Sequence, residues 1–158
     1  MVSTPRILPP LTDATRRFWT GGRDGELLIE WCTSCGRWQH PPMGTCRTCG
    51  GPVEHRPVSG RGTVFTFTVN HHQFHPEVPP PYVIAVVELA EQPDLRVPAN
   101  LVDCDPADVR IGLPVEVRFE AHGEVHVPVF APATGVPAAT SEPTATAPAD
   151  RPSRGGPG

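Results

Sequence analysis

Four cysteines in the first third of the chain are the residues most able to do chemistry. They form two Cys-x2-Cys pairs separated by ten residues: Cys32, Cys35, Cys46 and Cys49. Each pair places two sulfurs on one side of a tight turn, and two such turns supply the four thiolates that tetrahedral Zn²⁺ accepts at about 2.3 Å. Gly36 and Gly50 follow the two pairs, where the turns require a positive φ. The spacing therefore predicts a site that binds Zn²⁺.

This predicted zinc site is structural rather than catalytic. A catalytic zinc has three protein ligands and an open position for water or substrate, whereas here sulfur fills all four positions. A structural zinc contributes on the order of 10 kcal/mol to the folding of a segment that is too small to have its own core. Iron in a rubredoxin-like electron carrier uses the same four ligands, so it remains the alternative on these residues alone.

Three histidines lie in the segment 70–82, NHHQFHPEVPPPY. His71, His72 and His75 stand near Glu77, and the segment has three interpretations. It could be a second metal site, a contact surface for a ligand or partner, or a polar loop without a specific task. Under the second interpretation, His72 and His75 are the candidate contact residues.

No established catalytic motif accompanies these residues. The sequence lacks the GxSxG elbow, the GxGxxG dinucleotide fingerprint and the phosphate-binding P-loop. Cys104 lies between two acids in DCDP, and because adjacent carboxylates raise the pKa of a thiol, Cys104 is expected to be structural. We therefore expect no catalytic residues in this chain.

Period-two patterns predict that β-structure surrounds the metal site. After a first strand at 26–32, alternating apolar and polar residues predict five more strands. They span 62–70, 82–89, 95–102, 115–120 and 125–130. Five evenly punctuated strands favour a small closed or partly open barrel of the OB-fold type, with a sandwich as the alternative. The predicted fold class is therefore mainly β: an N-terminal helix, a rubredoxin-like zinc ribbon and a five-stranded barrel.

Three details of these strands can be checked against a structure. Phe65, Phe67 and Val69 are expected on one face of the first barrel strand. The strand 82–89 is apolar on both faces, which is typical of a central strand. Pro128 is expected at a sheet edge or a strand end, because proline cannot donate to the hydrogen-bond ladder. The connector at 105–114 is expected to contain one helical turn.

The segment 11–22, LTDATRRFWTGG, predicts a short helix. Thr12 or Asp13 would cap its start, and Gly21 and Gly22 would end it. A single short helix is marginal alone. It must therefore dock on its own domain or partly on a partner protein.

Four residues of this helix are candidate contacts with a partner or ligand: Arg16, Arg17, Phe18 and Trp19. The aromatic pair is large for so short an element, which favours docking against another surface. The two guanidinium groups suit carboxylates or phosphates, because arginine binds both in a bidentate fork.

Charge is unevenly distributed, although the formal net charge is only −4. All 13 basic residues are arginine, which is typical of GC-rich coding. Residues 1–61 carry eight arginines and five acids, whereas residues 62–130 carry three arginines and ten acids. The basic first third suits an anion such as a phosphate. The acidic second half argues against long nucleic acid as the main ligand.

The chain is predicted to be cytoplasmic. No basic start followed by an apolar stretch occurs at the N-terminus, and the longest apolar run, 82–87, is too short to cross a bilayer. Four of the five cysteines are paired as Cys-x2-Cys, which suits a cytosolic metal site better than a disulfide framework.

Composition divides the chain into four parts. A helical segment at 1–25 precedes a zinc ribbon at 26–57 and a barrel at 58–131, and a tail at 132–158 follows. The tail is rich in proline, glycine, alanine and small polar residues. Such a stretch cannot bury enough apolar surface to offset its ordering entropy, so we expect it to be disordered.

Taken in order, these pieces resemble a known family. The short helix precedes GELLIEWCTSCGRWQHPPMGTCRTCG, and VSGRGTVFTFTV, PYVIAVVEL, NLVDCDPADVRIGLPVEVRF and VPVFAP follow. Over about residues 11–132 they are similar to the domain-of-unknown-function family that joins a rubredoxin-like zinc ribbon to an OB-fold and is encoded beside thiolases. The family's four zinc ligands correspond to the four cysteines named above.

The resemblance implies an accessory protein rather than a free enzyme. Members of this family bind thiolase-like enzymes: acetoacetyl-CoA thiolases in archaea, and lipid-transfer-type aldolases of steroid side-chain breakdown in actinobacteria. This chain is therefore expected to join a thiolase-fold enzyme in a heterotetramer or larger assembly, to help form its acyl-CoA site, and not to bind membranes. Arg16, Arg17, Arg23 and Arg37 would be available for CoA phosphates or partner acids.

Two other functions stay open on the residues. The first is a module that binds single-stranded nucleic acid, because OB-folds and zinc ribbons both serve that role. The second is an enzyme that acts alone on acyl-CoA and uses His72 or His75 as a base.

Overall fold

The structure, a computed structural model, describes residues 6–76 and 78–134, which contain one short α-helix and eight β-strands. Helix α1 spans Arg16–Thr20, and a 3₁₀ turn continues it over Gly21–Asp24. The strands are β1 (Leu27–Cys32), β2 (Trp38–Gln39), β3 (Val53–Val58), β4 (Arg61–Asn70), β5 (Tyr82–Leu89), β6 (Arg96–Leu101), β7 (Pro114–His122) and β8 (Val125–Pro132). The connector between β6 and β7 contains one 3₁₀ turn, Pro106–Asp108, as the sequence predicted.

Strands β1, β2 and β3 form a small antiparallel sheet in the order β2-β1-β3. On the central strand β1, Leu27, Ile29 and Cys32 are almost fully buried. The pairing of β1 with β3 runs along the whole length of both strands. Sequence patterns predicted β1 but not β3, because VEHRPV is mostly polar and contains a proline.

Strands β4 to β8 close into a barrel with the order β4-β5-β6-β8-β7, and β4 pairs with β7 to complete it. This is the five-stranded Greek-key order of an OB-fold, in which the last two strands exchange places. The inward side chains include Val64, Val87, Val97, Val115 and Phe130, each at most 1% exposed. The predicted barrel is confirmed, and the alternative of a sandwich is wrong.

Helix α1 differs from its prediction at its start. It begins at Arg16 rather than near Thr12, and Thr15 occupies the N-cap position without a capping side-chain bond. The α-helix ends at Thr20 with Gly21 as its C-cap residue, as predicted, and the chain then continues as a 3₁₀ turn. Gly25, with φ of 76°, ends it in the left-handed conformation that glycine adopts freely.

Gly22 is needed for packing rather than for chain termination. A Cβ atom at this position would lie 2.3 Å from Phe119 of β7 and 2.7 Å from His126 of β8. The absence of a side chain therefore lets the 3₁₀ turn lie directly on the barrel. The helical segment docks on its own chain, one of the two expectations from sequence.

A β-bulge in β4 breaks the predicted alternation. The register with β5 shifts between Val64 and Thr66, so Phe65 is the extra residue. Val64 fills the barrel, whereas Phe65 is 43% exposed and lies under the Arg96 guanidinium, 3.5 Å from the ring centroid. The expectation that Phe65 shares a face with Phe67 is therefore wrong.

Strand β5 is central, between β4 and β6, as predicted. Its inner face fills the barrel, whereas its outward residues are only partly buried. Ile84 on that outer face is 42% exposed. An apolar strand with an exposed face indicates a surface for another molecule.

Pro128 lies at a local sheet edge, one of the two positions expected from sequence. Strand β8 lies between β6 and β7, but its pairing with β6 is limited to Leu101↔Phe130. Pro128 therefore lies where β8 has a partner only on the β7 side. A residue that lacks an N–H group is tolerated there because no ladder bond to β6 is lost.

A side-chain amide joins the ribbon sheet to the barrel. Gln92, in the turn between β5 and β6, accepts from the Trp38 N–H at 3.0 Å and donates to the Trp38 carbonyl at 3.2 Å. Glu91 beside it accepts from the Ser59 N–H at 2.6 Å. These bonds hold β2 and the ribbon–barrel connection against one turn of the barrel.

The predicted disordered tail at 132–158 falls outside the described residues except for its first three. Pro132 ends β8, and the Ala133 N–H donates to the Pro114 carbonyl at 3.0 Å. None of the helices in the described part of the chain has the length and apolar character needed to cross a bilayer.

Candidate metal centre and apolar surface

The four cysteine sulfurs converge on one point. Cys32 ends β1, Cys35 lies in the turn that follows, and Cys46 and Cys49 lie in the turn before β3. All four Sγ atoms are within 4.8 Å of one another. The Sγ–Sγ distances are 3.5 Å for Cys32–Cys49 and 3.7 Å for Cys35–Cys46. A tetrahedral ion with bonds of about 2.3 Å would separate its ligands by about 3.8 Å, so the residues fit one metal ion.

Two glycines close the cysteine turns. Gly36 and Gly50 have φ of 65° and 71°, which confirms the expectation from their spacing. The Gly36 N–H donates to the Cys32 carbonyl at 3.0 Å, and the Gly50 N–H donates to the Cys46 carbonyl at 2.8 Å. Both turns thus have the same local geometry, which aims two sulfurs inward from each.

Backbone N–H groups also point at the sulfurs. The Cys35 N–H lies 3.4 Å from Cys32 Sγ, and the Thr48 N–H lies 3.4 Å from Cys46 Sγ. The N–H groups of Cys49 and Thr48 lower the pKa of Cys46 to about 6, whereas desolvation and the neighbouring thiols raise the pKa of Cys35 to about 12. Four thiols this close cannot all ionise without a cation among them, so the donor set is suited to a metal cation.

A buried carboxylate braces the second cysteine turn. Glu30 of β1 is 1% exposed and accepts from the N–H groups of Met43 at 2.9 Å and Gly44 at 2.7 Å. It also accepts from Gln39 Nε2 at 2.6 Å, and Gln39 Oε1 accepts from the Arg47 N–H at 2.9 Å. Sequence reasoning missed this network, although an acid inside the apolar strand LLIEWC indicates a buried partner set.

His40 is enclosed between helix α1 and the ribbon. Its ring centroid lies 4.8 Å from that of Phe18, and its Nδ1 is buried without a hydrogen bond to any described residue. Burial and the Arg47 guanidinium lower the pKa of His40 to about 4, against the opposing effect of Glu30. The ring is therefore neutral at physiological pH.

The helix residues predicted as contacts take different positions. Phe18 is 3% exposed and packs edge-to-face with Trp19 at 4.7 Å, so it belongs to the core. Trp19 is half-buried and faces the barrel surface described below. Arg16 forms an ion pair of 2.7 Å with Glu124, and Arg17 is exposed without an ion pair among residues 6–76 and 78–134.

The two candidate histidines lie in different environments. His72 is exposed, with its ring centroid 4.7 Å from that of Phe74. His75 is half-buried and lines a cavity. In the part of the chain that the structure describes, neither belongs to a cluster of potential metal ligands. Glu77 lies outside the described residues.

Sequence reasoning also missed an apolar cavity of about 890 Å³. It lies between the N-terminal segment 6–10 and the loop that joins β4 to β5. Trp19, Tyr82, Leu101 and Val127 contribute apolar wall from the helix and the barrel. A cavity of this size and lining is typical of sites for small organic ligands.

Polar groups gather at one side of this cavity. Arg6 forms an ion pair with Glu120 of β7 and donates to Asn100 Oδ1 of β6 at 2.7 Å. The Asn100 side chain in turn donates to the Val83 carbonyl at 3.0 Å. These bonds hold the N-terminal segment across the outside of the barrel.

A shallower groove of about 280 Å³ continues the cavity along the outer face of the barrel. It shares Trp19, Tyr82, Asn100 and Val127 with the cavity and adds Ile84. Of the seven large apolar side chains that are strongly exposed among the described residues, four line these two depressions: Ile7, Leu8, Phe74 and Ile84. We call the region around these four residues the apolar surface.

Comparison with known proteins identifies the class of this fold and site. The family model for the ChsH2 rubredoxin-like zinc ribbon domain matches residues 19–55, and the model for the ChsH2 C-terminal OB-fold domain matches residues 55–120. The chain is thus a zinc-ribbon and OB-fold protein whose four cysteines are positioned to bind one metal ion.

Two relatives are considerably longer than this chain. A probable enoyl-CoA hydratase alpha subunit of Thermomonospora curvata is 37% identical over 82% of this chain and 41% of its own length. A 3-oxo-4,17-pregnadiene-20-carboxyl-CoA hydratase alpha subunit of Mycobacterium tuberculosis is 38% identical over 70% of this chain and 35% of its own length. The chain therefore spans well under half of each relative.

One solved structure matches this chain over almost its own full length. A chain of the Ltp2-ChsH2(DUF35) aldolase superposes with a TM-score of 0.71 and 34% identity, and the match covers 79% of this chain and 98% of that one. This protein belongs to the DUF35 family, in which a ChsH2-type zinc ribbon precedes an OB-fold. The resemblance noted from sequence is confirmed.

Proposed function

We propose that this chain is a non-catalytic accessory subunit that binds a thiolase-fold enzyme of acyl-CoA or steroid side-chain metabolism and helps form its acyl-CoA site. The proposal rests mainly on the exposed apolar surface. The match to this chain covers 98% of the DUF35 chain in the solved Ltp2-ChsH2(DUF35) aldolase, which supports a partner enzyme. The relatives named as hydratase subunits for CoA esters support the substrate class.

Exposure of the apolar surface supports binding to a partner protein. Ile7 is 85% exposed and Phe74 is 75% exposed, and both stand at the rim of the same cavity. Clusters of exposed large apolar side chains mark sites where another molecule binds. Trp19 and Tyr82 add aromatic area to the surface, and aromatic residues are enriched in the centres of protein interfaces.

The metal centre supports a role without catalysis at the metal. Four sulfurs complete a tetrahedral coordination shell and leave no position for water or substrate. The metal therefore holds the two turns of the ribbon, and the bond-making groups belong to the partner enzyme.

Charge on the barrel argues against nucleic acid as the ligand. Arg96, beside the exposed Phe65, is paired with Glu88 at 3.1 Å and Asp94 at 2.7 Å. Arg6, at the cavity, is paired with Glu120. Binding of single strands combines stacking with unpaired cations that track the backbone, whereas Arg6 and Arg96 are both paired with carboxylates.

Light scattering after size exclusion tests the proposal with the purified chain and a co-expressed thiolase-fold enzyme from the same organism. We expect a stable heterotetramer or larger complex, and lower enzyme activity when the chain is omitted. Ile84→Asp should weaken the complex at least tenfold, because it places a charge on the apolar surface. A chain that elutes alone beside a fully active enzyme would overturn the proposal.

Ile111→Asp is the matched control for this experiment. Ile111 is 70% exposed, similar in chemistry to Ile84, and lies on the connector between β6 and β7 away from both depressions. The complex should tolerate this substitution. Equal weakening by both variants would contradict the assigned surface.

A further inference from the structure

We infer that the cavity between the N-terminal segment 6–10 and the β4–β5 loop is a ligand site on this chain itself. It would take the apolar acyl or ring portion of a CoA ester and place an oxygen of that portion beside Arg6. The identity of the substrate class rests on the proposed function, whereas the cavity is a property of this chain alone.

Size and lining support an apolar small molecule as the occupant. The cavity volume is about 890 Å³, within the range of roughly 300–1,000 Å³ that is common for ligand sites. Its walls are mainly apolar and come from four parts of the chain: the N-terminal segment, helix α1, the β4–β5 loop and the barrel. Trp19 and Tyr82 offer flat faces against which fused rings or an extended chain can pack.

Arg6 supplies the polar end of the site. A guanidinium has five N–H donors, and two of its nitrogens already donate to Glu120 and Asn100. The remaining donors are available to a carbonyl or hydroxyl oxygen of a ligand. Because the Asn100 side chain is itself anchored to the Val83 carbonyl, the Arg6 position is set before a ligand arrives.

Charge balance selects the apolar portion of the ester over the nucleotide of CoA. Among the residues that the structure describes, Arg6 is the only arginine in the lining, and Glu120 neutralises it in a half-buried pair. A phosphate would bring at least one further negative charge next to Glu120 without an unpaired cation to offset it.

The rim of the cavity indicates how the site would be closed. Ile7, Leu8 and Phe74 are exposed around its opening. A partner enzyme docked on the apolar surface would cover these side chains and enclose the ligand between the two subunits. The ligand would then be shielded from water without any catalytic group on this chain.

Two neutral probes test the site on the zinc-loaded full chain: progesterone for a fused-ring ketone, and 2-decanone for an extended-chain ketone. Titration followed by heteronuclear NMR should show saturable one-to-one binding of at least one probe in the micromolar range. The Trp19 indole N–H and Arg6 Nε–H resonances should shift. The probe that binds more tightly identifies a ring or a chain as the preferred occupant.

Phe74→Asp and Leu8→Asp should each weaken binding at least tenfold, because they place a charge at the rim. Both side chains are strongly exposed, so the fold should not change. Ile111→Asp, also exposed but outside the cavity, should bind the probe as the unsubstituted chain does. Absence of saturable binding by both probes, or equal effects of all three variants, would overturn the inference.

Failure of this inference is distinguishable from failure of the proposed function. Probe titration uses the chain without its partner, whereas complex formation is measured without a probe. A chain that assembles with the enzyme but binds neither probe retains the proposed function and loses the ligand site.

Discussion

The zinc ribbon and the barrel lie side by side in one chain but are stabilised by different physics. Among the described residues, the buried apolar cluster has fifteen members; twelve come from the barrel and its connections, and only Leu27 and Ile29 come from the ribbon sheet. The barrel therefore has a core that can support its own fold. The ribbon instead depends on four sulfurs around one point and on a buried carboxylate.

The ribbon and the barrel also differ in where their unusual side chains point. In the ribbon, nearly every special residue is directed inward: the cysteines to the metal, Glu30 to the second turn, and His40 to the helix. In the barrel, the inward face is an ordinary aliphatic core, and the unusual feature is the outward apolar surface around Ile84 and Phe74. Four cysteines positioned to bind one metal ion distinguish the ribbon, and an exposed apolar face distinguishes the barrel.

The largest predicted effect is loss of the metal. Cys46→Ser removes one thiolate, and the ribbon should lose on the order of 10 kcal/mol of folding free energy. Hydrogen exchange should show that the amides of β1 and β3 lose protection while those of β5 and β7 keep it. Cys104→Ser is the control, because Cys104 is outside the sulfur cluster. If Cys46→Ser kept one metal ion and full hydrogen-exchange protection of β1 and β3, the ribbon would not depend on the metal.

The second prediction acts on the barrel alone. Phe130 is 0% exposed, and Phe130→Ala should lower the free energy of unfolding by about 3–5 kcal/mol because it leaves a cavity. Urea denaturation measures the change, and metal content should stay at one ion per folded chain. Phe74→Ala, at 75% exposure, should change stability by less than about 0.5 kcal/mol. Similar losses for both phenylalanines would disprove this assignment of the core.

The third prediction concerns the non-metal support of the ribbon. Glu30→Ala leaves the N–H groups of Met43 and Gly44 without their acceptor, so the ribbon should lose roughly 3 kcal/mol and release its metal to a chelator faster. Glu54→Ala is the matched control on the same sheet, since Glu54 is exposed and pairs only with Arg56. That exposed pair should be worth less than about 1 kcal/mol. A Glu30 variant as stable as the Glu54 variant would rule out the bracing role.

The smallest predicted effect depends on pH. The unfolded chain binds a proton at His40 with a pKa near 6.5, whereas the folded chain, with a pKa of about 4, resists protonation. Stability from this group is therefore complete above pH 6.5 and is lost as pH falls toward 4. At pH 5 the loss should be about 2 kcal/mol.

Comparison with His40→Gln isolates the contribution of His40 to the unfolding free energy, because protonation of the cysteines affects both proteins equally. The difference in unfolding free energy between the two proteins should fall between pH 6.5 and 4. A constant difference across that range would show that His40 titrates normally in the folded chain.

Local patterns were sufficient for the features that depend on near neighbours. Cys-x2-Cys spacing and the following glycines predicted the metal site, because each turn is determined within about five residues. Period-two alternation predicted β4 to β8 within one or two residues at most ends. The resemblance to the DUF35 family followed from the same motifs in order.

Features set by distant contacts were not predictable from those patterns. Arg6 reaches partners 94 and 114 residues away, and nothing in the segment 6–10 indicates that it crosses the barrel. The bulge at Phe65 arises from its pairing with β5, which alternation along one strand cannot reveal. Phe18, predicted as a possible partner contact, is buried because the helix docks on its own chain.

X-ray absorption at the zinc edge counts the ligands of the metal, which is proposed only to hold the ribbon. For the purified chain, and again for its complex with the thiolase-fold enzyme and substrate, we expect four sulfur scatterers at about 2.3 Å. An oxygen or nitrogen scatterer in place of one sulfur in either sample would contradict this expectation, since that metal would then have a position open to chemistry.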